Sequence, residues 1–171
     1  MRRGAALALV ATVVVSAGCG GSKTVTQTVT AEAKSGTGPP SELVGFGYVK
    51  ALEREGDGYR MRFDPAWFLS GETANVAAAE DGAVESGEPV PNDNYRFDEG
   101  HRQLTYLVPA TAEVTVLTDG PNGTPIEVSQ LADLVAGKNP LGGPLFEPLS
   151  TGFWIRVDVD TVRSLDQQYQ P

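Results

Sequence analysis

Histidine occurs once in the chain, as His101 within Asp98-Glu99-Gly100-His101-Arg102. Any Ser-His-Asp chemistry would have to use it as the general base. No Gly-x-Ser-x-Gly elbow accompanies it, so a solvated loop histidine is the plainer reading. A zinc site built on one His and no spare Cys would need carboxylates for its other ligands, an uncommon set. Asp158 and Asp160 lie two apart on a predicted strand, which would place their carboxylates on one face, about 6–7 Å from each other. A glycosidase could use such a pair as acid and base, although two acids on an exposed edge strand give the same pattern. Asp93, Asn94, Asp98 and Glu99 offer the oxygen ligands that calcium takes, but not at EF-hand spacing. An acidic surface loop explains them equally. Gly45-Phe46-Gly47 lacks a third glycine and precedes no helix, so it marks a strand irregularity rather than a dinucleotide loop. No catalytic residue, metal or cofactor is assigned.

The aromatic residues are the stronger functional candidates. Trp154 shares the polar face of its predicted strand with Arg156, and Trp67 follows a predicted hairpin beside Phe68. Exposed Trp and Arg anchor interfaces, so Trp154, Arg156 and Trp67 are the expected ligand- or partner-binding residues. The competing expectation buries Trp154 beneath a helix or beneath the apolar loop 141–149. That loop would be either a core plug or a lid over a cleft.

These residues need a frame. Residues 43–54 read as a strand, with Phe46 and Tyr48 on one side of the pleat and Val49 on the other. Gly56-Asp57-Gly58 suits a hairpin turn. Tyr59, Met61 and Phe63 then alternate with Arg60, Arg62 and Asp64, the period-2 signature of a strand with one apolar face. Pro65, lacking an N–H, is expected to end it. Residues 70–81 read as a helix capped by Ser70 or Thr73 and closed by Gly82. The acidic, proline-bearing segment 83–100 reads as a long loop. Residues 103–118 predict two strands or one bent strand, and 119–124 a turn. A helix capped by Ser129 carries Leu131, Leu134 and Val135 on one stripe and stops at Gly137. In the strand 153–160, Phe153, Ile155, Val157 and Val159 face one way and Trp154, Arg156, Asp158 and Asp160 the other. Residues 162–169 continue as a strand or terminal turn. The order predicts an α+β domain with a mainly antiparallel sheet, able to curl into a small OB-like barrel, and two short helices. That likeness carries no function with it.

Composition narrows the classes. The chain has 171 residues, with 13 Lys and Arg against 22 Asp and Glu, a formal charge of −9. No basic patch is available to neutralise phosphates, which argues against nucleic acid and against anionic lipid headgroups as ligands of the folded domain. Cys19 is the only cysteine, so the domain holds no disulfide and depends on apolar burial.

The N-terminus carries the one family resemblance. Arg2 and Arg3 precede an apolar run over residues 4–16, too short for a spanning helix of about 20 residues. Ser16-Ala17-Gly18-Cys19 then resembles the lipobox of bacterial lipoproteins, with Ser16 where that pattern usually has Leu. The resemblance implies cleavage after residue 18 and a Cys19 acylated on sulfur and nitrogen. Residues 20–40 are rich in Gly, Ser and Thr and read as a tether, about 21 residues with an r.m.s. span of roughly 25 Å. The expected organisation is thus a cleaved signal peptide (1–18), a lipidated tether (19–40) and one globular domain (41–171). The expected role is a membrane-anchored extracytoplasmic domain that binds an envelope protein or a small ligand without catalysis. A carboxylate- or metal-dependent hydrolase and a structural spacer of the cell envelope are the alternatives.

Overall fold

Two long strands, β1 (Leu43–Glu55) and β2 (Gly58–Ser70), pair antiparallel around a turn in which Gly56 takes a φ of 57°. They belong to a computed structural model that describes residues 42–98 and 100–170. The signal segment, Cys19, the tether and Glu99 lie outside the described residues. The alternation holds as expected, with Tyr59, Met61 and Phe63 buried and Arg60 and Arg62 exposed. The irregularity expected at Gly45-Phe46-Gly47 does not occur there, since pairing runs in regular register through Gly47; glycine is needed at 47 for close approach. A Cβ there would lie 2.2 Å from the Asp64 carbonyl oxygen and 2.8 Å from the Phe63 ring. A bulge follows between Val49 and Ala51.

Pro65 does not end β2. The strand changes partner on its second side, pairing with β4 (Leu104–Pro109) from Gly58 to Phe63 and with β3 (Asn94–Phe97) from Trp67 to Ser70. Pro65 falls in the gap between them, where no second neighbour needs an N–H. For the same reason 83–100 is not a structureless loop. A 3-10 turn (Pro91–Asp93) leads into β3, whose pairing with the extension of β2 could not be seen from local composition.

The sheet closes on itself. β7 (Phe153–Asp158) pairs with β1 and with β8 (Thr161–Gln167), and β8 meets β4 in parallel at Thr161 and Leu107. Strands β1, β2, β4, β8 and β7 thereby form a closed five-stranded barrel of mixed direction. Next to that seam the Leu107 N–H donates to the Asp160 carbonyl at 2.9 Å. β5 (Glu113–Leu117) adds to β8 in parallel, and β6 (Gly123–Ile126) pairs with β5. Met61, Phe63, Phe153, Ile155, Val157 and Leu165 fill the interior, each at most 1% exposed. The expected α+β domain with a small barrel and two helices is what forms.

Val159 departs from the strand pattern. β7 stops at Asp158, and Val159 is 81% exposed with a φ of 59° in the tight turn to β8. Asp160 therefore lies in the turn, not on the strand face that carries Asp158.

α1 (Gly71–Glu80) forms where expected and buries Ala74 and Ala78 with Val90 in a small second core. Ser70 holds the N-cap position, but its hydroxyl makes no capping bond. α2 (Val128–Val135) starts two residues earlier than a cap at Ser129 implied. Glu127 is its cap, and the Glu127 N–H donates to the Gln130 Oε1 at 2.9 Å, completing a capping box. Leu131 is fully buried, and the helix stops before Gly137, at a φ of 80°. Leu141, Leu145 and Leu149 pack on the main core, so their loop covers the barrel rather than a cleft. Buried Gln167 fixes it, donating from Nε2 to the carbonyls of Glu147 (3.0 Å) and Pro148 (3.1 Å) while its Oε1 accepts from the Leu117 N–H (2.9 Å). Among the described residues no helix is long and apolar enough to cross a membrane.

Candidate functional site

The outer face of the β1–β7 ladder carries an aromatic cluster. Strand alternation turns Val44 and Phe46 of β1 to this side, opposite Arg156 and Trp154 of β7 in the antiparallel register. Phe68 of β2 reaches the same place. The Phe46 and Trp154 ring centroids are 5.3 Å apart, Phe46 and Phe68 5.2 Å, and Phe68 and Trp154 5.7 Å. Two of the three contacts are edge-on, the arrangement that aromatic quadrupoles favour. Phe46, 4% exposed, forms the floor. Gly152 backs it from the β7 side, at a φ of 92° and so close that a Cβ would stand 2.6 Å from the Phe46 ring. The Trp154 indole N–H donates to the Gln168 Oε1 at 2.6 Å, which fixes the ring and satisfies its only polar atom.

Above this floor lies a groove of about 520 Å3. Its walls are Leu43, Val44, Pro65 and Trp67, and His101 also lines it. Leu43, Val44 and Trp67 are each more than half exposed, at 56%, 53% and 54%. Among the described residues no Asp, Glu, Lys or Arg lines the groove. Clustered exposed apolar surface of this kind marks interaction or ligand sites.

The structure thus brings Trp67 and Trp154 together from two different strands. Trp154 is half-buried, packs on Phe46 and Phe68 and lines the groove. Arg156 sits one step further along β7, outside the lining, with its guanidinium 3.8 Å from the Glu42 carboxylate. Leu43, Val44, Phe46, Phe68 and His101 were not among the expected binding residues. The available signal was Leu43-Val44-Gly45-Phe46, where adjacent apolar residues must put apolar side chains on both faces of the strand.

The other chemistry-bearing residues are dispersed. Asp158 pairs with Arg163 at 2.6 Å, and Asp160, in the turn, does not join it as an acid–base pair. Asp93 ends the 3-10 turn and Asn94 opens β3, its side-chain amide donating to the Asn92 carbonyl at 2.8 Å. Among the described residues no group of three or more His, Cys, Asp or Glu is placed to hold a metal. Elsewhere a more polar hollow beside Tyr48 has its cations engaged: Lys50 lies 3.4 Å from Asp64, and Arg96 donates to the Ser150 carbonyl at 3.0 Å. Comparison with family models, with characterised proteins and with solved structures finds no match to this chain.

Proposed function

We propose that this chain is a lipid-anchored, extracytoplasmic binding module of the cell envelope, held by acylated Cys19 and using the Trp67–Trp154 groove to bind an apolar group without catalysis. The groove carries the reading. It brings exposed Trp67, Leu43 and Val44 together with half-buried Trp154 in one concavity, with no Asp, Glu, Lys or Arg among its lining residues. Apolar pockets with few polar groups bind ligands, and catalysis needs positioned acids, bases or nucleophiles. The lipobox-like Ser16-Ala17-Gly18-Cys19 supports the anchor and the location.

Titration with the apolar fluorophore anilinonaphthalene sulfonate tests the groove. The folded protein is expected to bind it saturably with energy transfer from tryptophan, since both tryptophans of the chain line the site. Val44→Glu places a charge at a half-exposed wall and is expected to abolish binding with the fold intact. Equal binding by that variant would defeat the reading. For the anchor, Cys19→Ser is expected to remove lipid labelling and release the protein from the membrane fraction.

A further inference from the structure

We propose that Asn122 is a site of spontaneous deamidation, its side chain closing on the Gly123 nitrogen to a succinimide that opens to aspartyl and isoaspartyl forms. The site lies apart from the Trp67–Trp154 groove and does not depend on what that groove binds.

Five asparagines occur in the chain, and only Asn122 precedes a glycine. Asn75, Asn92 and Asn94 precede Val76, Asp93 and Tyr95, and Asn139 precedes Pro140, whose nitrogen has no proton to give up. Two of the others are also held by their amides. The Asn75 Oδ1 accepts the Val90 N–H at 2.9 Å, while Asn139 donates to the Gly143 carbonyl and accepts the Leu141 N–H, each at 2.9 Å. Asn122 is exposed in the bend between β5 and β6, and among the described residues its side chain has no hydrogen-bond partner. Nothing fixes it away from the next nitrogen.

That nitrogen is free as well. Gly123 opens β6 opposite Leu117. In an antiparallel ladder, residue pairs that exchange hydrogen bonds alternate with pairs that do not. Leu117 turns its polar groups away from β6, its N–H donating to the Gln167 Oε1 at 2.9 Å and its carbonyl accepting the Phe146 N–H at 2.8 Å. Pro125, two residues along and of the same parity as Gly123, has no N–H to offer β5. The Gly123 N–H therefore points to the outer side of β6, the last strand in the sheet order. No ladder bond holds it, and glycine leaves it unshielded and free to rotate. The pairing also favours glycine here, because a Cβ at 123 would stand 2.0 Å from the Thr115 methyl carbon.

The chemistry needs only water. The Gly123 nitrogen loses its proton and bonds to the Asn122 Cγ; the Cγ–Nδ2 bond breaks, and that nitrogen departs with the proton as ammonia. Water then opens the ring, its hydroxyl going to carbon and its hydrogen to the ring nitrogen. Addition at Cγ restores the ordinary main chain with a side-chain acid. Addition at the Asn122 carbonyl carbon breaks the original peptide bond, so the main chain runs through Cγ and is one carbon longer. Either acid ionises. The new charge falls near Asp119 at the foot of β6, where the Thr118 and Thr124 hydroxyls meet at 2.6 Å.

The test ages the full chain in heavy-oxygen water at neutral and mildly alkaline pH, both folded and in urea. Mass spectrometry then follows the tryptic peptide 103–138, in which Asn122 is the only asparagine. The folded chain is expected to exchange the amide for an acid carrying one heavy oxygen, at a rate comparable with the urea-unfolded chain and rising with pH. Two isomers should separate by chromatography, and isoaspartyl methyltransferase should methylate one of them at position 122. Asn122→Gln should lose the mass shift, with its near-ultraviolet circular dichroism unchanged. An amide that survives in the folded chain while it is lost in urea would show that the fold protects the site and would overturn the proposal. A single aspartyl product with no isoaspartyl isomer, or a shift that persists in Asn122→Gln, would overturn it too.

Discussion

Trp154 stands directly across the β1–β7 ladder from Phe46, their ring centroids 5.3 Å apart, on the outside of a barrel whose inside the strand neighbours of Trp154 help to fill. Phe153 and Ile155, on either side of Trp154, are at most 1% exposed. One strand thus serves the core with one face and the candidate site with the other. Because β7 is fixed by β1 and β8, the tryptophan is presented on rigid backbone.

The floor and the wall of the groove are expected to respond differently to truncation. Phe46→Ala removes a buried ring touching both Trp154 and Phe68 and should cost about 3 kcal/mol or more. Trp67→Ala, at a side chain more than half exposed, should cost less than about 1 kcal/mol. Urea denaturation separates them. The Trp67 change is nevertheless expected to weaken binding of an apolar probe.

Val159 should be an easy site to improve. Its φ of 59° is a left-handed conformation that a β-branched residue adopts at a cost, and at 81% exposure it buries little in return. Val159→Asn relieves that strain and should raise stability by about 1 kcal/mol, seen as a higher thermal midpoint. The adjoining Asp160 carbonyl accepts the Leu107 N–H at the barrel seam, so slower amide exchange at Leu107 should accompany the gain.

Gln167 is expected to be among the most sensitive polar residues. Gln167→Leu keeps comparable bulk but leaves the Leu117 N–H and the carbonyls of Glu147 and Pro148 without this partner. A loss of about 3 kcal/mol is expected, from penalties of roughly 1–3 kcal/mol per stranded group. Exchange of amides in the segment 145–151 should rise before global unfolding if the loop is released first.

Alkaline pH should destabilise the domain partly through Tyr106. Burial, and then the nearby Asp160 carboxylate, raise its phenol above the ordinary value of 10.0. The folded state therefore holds this proton more tightly than the unfolded chain does. Its contribution is complete below pH 10 and is lost as pH rises through the raised folded value. The urea midpoint should fall above pH 10, and Tyr106→Phe should make that fall shallower.

Much of the frame was legible because it is local. The hairpin, the alternation through Phe63, the two helices and the apolar side of β7 follow from periodicity and turn residues. What was hidden depended on partners distant in sequence. Pro65 looked terminal because nothing nearby shows that β2 changes neighbour there. β3 was masked by acids and prolines because its pairing with Trp67–Ser70 is set by the fold. Val159 continued a perfect alternation, and only the turn that Asp158 and Thr161 close removes it from the strand. At the site, Trp154 and Trp67 could be singled out as types, but no local pattern says that two residues 87 positions apart share one concavity. Phe46 was readable as a strand residue and unreadable as the floor between them.

The most direct measurement is the pair of indole N–H cross-peaks in a two-dimensional proton–nitrogen spectrum, one for each tryptophan, followed as anilinonaphthalene sulfonate is added. If the two residues line one binding groove, both peaks should move along the same isotherm, and neither should move in Val44→Glu. Movement of only one peak, separate isotherms, or no response in a folded protein would contradict a single apolar site at Trp67 and Trp154.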